Sequence, residues 1–114
     1  MSILKNVLPE MNDLVRKGLY VDNLSRIEGI CKGVIVLGEY PTVFYVLQSI
    51  CRELRRAWED RAVTVEEYKY VRDKLTGPIQ DILDSVQSNM EKQFMTERLD
   101  ILILKFIEVR SQLY

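Results

Sequence analysis

Apolar residues recur three and four positions apart along most of this 114-residue chain, the spacing that gathers them on one face of a helix. Leu4, Val7, Leu8, Met11, Leu14 and Val15 form the first stripe. Pro9 interrupts it. Proline is accommodated in a first turn, so the pattern predicts a helix from about Leu8 to Gly18, with residues 1–7 as an arm or a kinked extra turn. Leu24, Ile27, Cys31, Val34 and Ile35 form the second stripe, with Asp22 or Asn23 as its expected N-cap and Gly38 at its end. Ser25, Gly29 and Gly33 lie four apart on one face of this helix, a row of small residues that lets another helix approach closely. A rival reading makes Val34–Leu37 a short buried strand bracketed by Gly33 and Gly38.

From Pro41 a third stripe runs through Val43, Leu47, Ile50, Cys51, Leu54, Ala57 and Trp58, predicting a helix of about twenty residues. Thr64-Val-Glu-Glu67 has the spacing of a capping box, in which a threonine opens a helix and a glutamate three residues later reaches back to it. The stretch from Leu54 through Tyr68 to Leu75 resembles a common bacterial helical hairpin, a likeness of turn chemistry that implies no activity. Thr76-Gly77-Pro78 reads as punctuation between two helices. Ile79, Leu83, Val86, Met90 and Phe94 then continue at helical spacing, predicting one long helix from 78 to about 111 or two helices broken near Met95-Thr96.

Residues 101–107, Ile-Leu-Ile-Leu-Lys-Phe-Ile, depart from the amphipathic pattern. Together with Val109 their apolar side chains surround nearly the whole circumference of a helix, and such an element must be covered on most sides. The cover is either the rest of the fold or a second subunit. The expectation is central burial for 101–107, with the flanking 90–98 stretch meeting a partner. As a strand, the same residues would set Ile101, Ile103, Ile107 and Val109 on one face. The fold class expected is all-α, a bundle of four to five helices with a long C-terminal helix in one domain over 1–114. The alternative is α+β, with short strands near 33–37 and 101–107.

Charge narrows the function classes. Sixteen basic against seventeen acidic residues leave a net charge of −1, with no overall pull toward nucleic acid or an anionic membrane. No apolar run approaches the ~20 residues of a membrane span. The N-terminal Met-Ser-Ile-Leu-Lys-Asn does not read as a signal peptide, and two cysteines suit a reducing compartment. A cytoplasmic location is the expectation.

The absence of histidine removes Ser-His-Asp and Cys-His catalysis and histidine metal sites. The five glycines form no phosphate-cradling motif. Cys31 and Cys51 both sit on apolar stripes and read as small buried hydrophobes, with a redox pair as the sharper alternative. The acidic pairs Glu66/Glu67, Asp81/Asp84 and Glu97/Asp100 could ligate a hard cation but read more simply as solvated helix faces. No catalytic, cofactor-binding or metal-ligating residue is assigned.

Arg52, Arg55, Arg56 and Arg61 cluster near Trp58, interleaved with Glu53, Glu59 and Asp60. Six tyrosines offer more aromatic surface than one stripe buries. Arg52, Arg55, Arg56, Tyr45, Tyr68, Tyr70, Met90 and Phe94 are therefore the candidate interaction surface. The reading that follows is a non-enzymatic helical module that binds a protein, as a homodimer. Two alternatives differ in class: a nucleic-acid-associated regulator using Arg52, Arg55 and Arg56, and a ligand-binding bundle with a pocket lined by Phe44, Trp58 and Phe106.

Overall fold

The computed structural model describes residues 3–113, which form five helices: α1 (Ile3–Lys17), α2 (Val21–Val36), α3 (Pro41–Asp60), α4 (Val65–Gln87) and α5 (Lys92–Leu113). No strand occurs among the described residues, so 33–36 and 101–107 are helical. α2 and α3 form a closely packed hairpin, as do α4 and α5, and α1 lies against both α2 and α4. α3 also touches α5, which closes the five helices into a ring. One hydrophobic cluster takes side chains from all five, including Met11, Leu24, Phe44, Leu54, Leu83 and Leu102.

α1 starts earlier than its proline implies. Pro9 lies inside the helix on its exposed side, while Leu4, Leu8, Met11 and Val15 keep an unbroken buried stripe past it. An interior proline costs about 3 kcal/mol through one lost hydrogen bond and a steric clash; burial of apolar side chains on both sides outweighs that. Residues 3–7 of the expected arm are therefore helical; Met1 and Ser2 lie outside the described residues. Neither Asp22 nor Asn23 caps α2. Tyr20 holds the cap position in extended backbone with no side-chain cap bond, and Asn23 Nδ2 donates to the Gly18 carbonyl at 2.8 Å. That contact fastens the α1–α2 turn, where Gly18 has φ 136°.

The Thr64 cap forms as expected: the Glu67 amide donates to Thr64 Oγ1 at 3.1 Å, and the Thr64 amide donates to Glu67 Oε1 at 3.2 Å. Thr76-Gly77-Pro78, in contrast, breaks nothing. α4 runs through it, because Leu75, Ile79, Ile82, Leu83 and Val86 are buried on both sides of the proline and only the bond to the Lys74 carbonyl is forfeited.

The single helix from 78 to 111 is instead two, and the break falls at 88–91 rather than near Met95-Thr96. Asn89 adopts a left-handed φ of 55°. Its amide donates to the Val86 carbonyl at 3.1 Å and the Met90 amide to Ser85 at 3.0 Å, the paired bonds of a Schellman stop. Asparagine tolerates that conformation better than most residues, so the turn needs no glycine.

Candidate protein-binding surface

The expectation that 101–107 is central is corrected by the exposure of Ile101, Ile103, Leu104 and Ile107. α5 packs chiefly on α4 and also touches α3. Met95, Leu99, Leu102, Phe106 and Val109 face inward at three- and four-residue steps. The remaining apolar residues do not: Ile101 is 52 % exposed, Leu104 62 % and Ile107 47 %, and Phe94 and Ile103 are also exposed. Ile101, Leu104 and Ile107 stand three apart, a continuous ridge along the outer side. With Phe94 and Ile103 they leave five large apolar side chains partly exposed on this one helix. Among the described residues Glu97 and Asp100, on the same face, make no ion pair; Glu108 beside them pairs with Lys74 at 3.1 Å, which holds its carboxyl below the usual glutamate value.

The arginines are largely committed within the fold. Glu28 of α2 is buried, and Arg55 of α3 grips it through Nε at 2.5 Å and a second nitrogen at 3.3 Å. Arg52 approaches the same carboxylate at 3.5 Å, and Arg55 also reaches Glu59 at 3.2 Å. These hydrogen bonds hold the Arg55 guanidinium above its ordinary pKa. The cluster is thus an electrostatic clasp between α2 and α3. Arg56 stays exposed outside it, and Arg61 pairs with Glu67 beside the Thr64 cap.

The other candidates divide similarly. Tyr68 is an internal wedge, its ring 5.2 Å from Tyr20 and 5.1 Å from Trp58, and Trp58 Nε1 donates to the Leu19 carbonyl at 2.9 Å. Tyr70 is half-buried against the core with Lys74 over its ring. Met90 is half-buried, its sulfur accepting from Arg98 at 3.2 Å. Tyr45 and Phe94 project outward, Tyr45 at 65 % exposure. Tyr45, Arg52 and Arg56 share one outward stripe of α3 with Ser49, while Phe94 belongs to α5. The eight candidates therefore do not make one surface.

Several residues that carry the exposed surfaces lie outside that set. Ile101, Leu104 and Ile107 do, although an all-round apolar helix was their visible signal. Gly29 and Gly33 are the other case. Both are exposed in mid-helix, and a Cβ on either would meet nothing within 4 Å. Each weakens α2 by about 1 kcal/mol relative to alanine, and no packing inside the fold requires them.

Cys31 and Cys51 are buried free thiols. Burial pushes Cys31 up to about 12 and raises Cys51 as well, the opposite of the low-pKa, accessible setting a reactive thiol needs. Phe44, Trp58 and Phe106 are core side chains. A cleft of about 780 Å³ opens elsewhere, between Leu4, Leu8, Tyr40, Val86 and Met90. Among the described residues no group of three acidic, cysteine or histidine side chains is placed to hold a metal. No helix among them is long and apolar enough to cross a membrane. Comparison of the chain with protein-family models, with curated proteins and with solved structures gives no match.

Proposed function

We propose that this protein is a non-enzymatic helical module that works by binding a protein through the outer face of α5. The observation that carries the reading is the division of α5 into two apolar sides, only one of which the fold covers. Burying large aliphatic side chains contributes about 1.5–3 kcal/mol each when they leave water completely. The ridge of Ile101, Leu104 and Ile107 therefore holds enough apolar surface to anchor an interface, with Glu97 and Asp100 as a polar rim. The nucleic-acid alternative loses support because Arg52 and Arg55 are already spent on Glu28.

The test is Leu104→Glu, which places a charge in the middle of the ridge without touching the core. The folded helical content is expected to persist, while proteins retained from a host extract by the wild-type chain, further copies of the chain included, are no longer retained. Retention by Leu104→Glu equal to wild type would rule out α5 as the binding face.

A further inference from the structure

We infer that the end of the bundle around Tyr40 is a binding site for a small uncharged molecule with an apolar or aromatic body, independent of the α5 face. The two ends of the five-helix ring are finished differently. Where α1 and α3 end and α2 and α4 begin, the Tyr68 ring lies 5.1 Å from Trp58 and 5.2 Å from Tyr20. The bond from Trp58 Nε1 to the Leu19 carbonyl fastens this aromatic plug. The space beside it at Tyr20 is only about 250 Å³.

The opposite end holds a larger space. Buried Leu4, Leu8 and Val86 floor the cleft of about 780 Å³, with half-buried Tyr40 and Met90 at its sides. A second hollow of about 210 Å³ adjoins it between the starts of α3 and α5, lined by Val43, Met95 and Leu99. Tyr40, Pro41 and Lys92 border both. Sites for small molecules are typically about 300–1,000 Å³, apolar in depth with a few polar groups at the mouth. Here the exposed rim carries Lys5 and Lys92 together with Glu39 and Glu91. Charges of both signs in equal number select neither an anion nor a cation, so the apolar walls decide what fits. Met90 and Met95 are flexible side chains that adapt to an irregular apolar body, and the Tyr40 ring offers a face or an edge to an aromatic one.

The backbone points to the same place. Of the four positive-φ residues described, Gly38, Tyr40 and Asn89 border this cleft, at φ 74°, 47° and 55°. Glycine and asparagine accept that conformation. A bulky tyrosine does not, and the residue before a proline favours extended backbone. Tyr40 makes no side-chain cap bond to α3 that would repay its conformation. Strain of this kind collects where a residue is held for a ligand.

Titration with N-phenyl-1-naphthylamine, an uncharged aromatic probe that brightens on leaving water, tests the inference, with amide NMR shifts to locate the probe. Wild type is expected to saturate at one probe per chain, with the shifts concentrated at 38–42 and 89–92. Leu104→Glu should bind as wild type does. Met90→Lys carries a charge into the wall, and Tyr40→Gly removes the ring while accepting the left-handed turn. With helical content retained, each should weaken binding about tenfold, the scale of one lost apolar contact. No saturable binding by wild type, binding lost with Leu104→Glu, or both cleft variants binding as wild type would each overturn the site. Affinity that falls as protein concentration rises would show a second copy filling the cleft and would overturn the small-molecule occupant.

Discussion

α3 and α5 are of similar length and both rich in apolar residues, yet they use them differently. α3 turns Val43, Phe44, Leu47, Ile50, Cys51, Leu54, Ala57 and Trp58 inward and leaves only Tyr45 among its large apolar side chains well exposed. Its remaining surface is polar, and even its arginines are drawn to a buried carboxylate. α5 commits five residues to the core and leaves nearly as many aliphatic side chains outside. The difference separates apolar character that folding requires from apolar character that folding leaves over. α3 is shaped by one contact surface and α5 by two.

The sharpest expected contrast concerns accessibility. Cys51 of α3 and its neighbour Cys31 are sealed in the core with raised thiol pKa values. A thiol reagent at neutral pH should label neither in the folded protein and both in denaturant; rapid labelling of the native protein would show that the α2–α3 hairpin opens. Next come core truncations. Phe44→Ala on α3 should cost about 3–5 kcal/mol and Leu102→Ala on α5 about 2–5 kcal/mol in urea unfolding, since both side chains are fully buried. Equal sensitivity of the two inner faces is what the comparison requires.

Glu28→Gln leaves two arginines without their carboxylate. Because the Arg55 side chain is 24 % exposed, the loss should fall below that for a fully buried pair, at about 1–3 kcal/mol. A cost near zero would mean that the clasp adds nothing to the hairpin. Thr64→Ala removes the cap of α4, outside both helices, at about 1 kcal/mol. The backbone bond from Thr64, aided by Arg61, holds the Glu67 carboxyl below its ordinary value of 4.5. The stability this adds is complete above that value and is lost as pH falls below it. Wild type and Glu67→Gln should therefore converge in stability as the solution is acidified. Gly33→Ala should add somewhat under 1 kcal/mol, because a methyl there meets open space.

Much of this architecture was legible in the chain, and the failures have specific causes. Stripes of single phase located α2, α3 and the start of α4, and Thr64 and Glu67 declared their cap through spacing alone. Pro9 and Pro78 read as breaks because their local penalty is visible in the chain and the burial on either side of them is not. The Ser88–Glu91 turn escaped notice because an asparagine does there what glycine or proline usually signals. The arginine cluster looked available because its partner, Glu28, lies on another helix and meets it only through the register of the hairpin. α5 was the hardest case. A helix apolar on every side carries no phase, so its sequence announces that cover is needed without saying which side the fold provides.

Whether Leu104 belongs to the fold is measured by urea unfolding of Leu104→Glu beside wild type, at a concentration low enough to keep both monomeric. The two curves should agree within about 0.5 kcal/mol, as for a surface substitution. A loss of 2 kcal/mol or more, the scale of a core defect, would place the ridge inside the bundle and leave α5 no outer face to bind with.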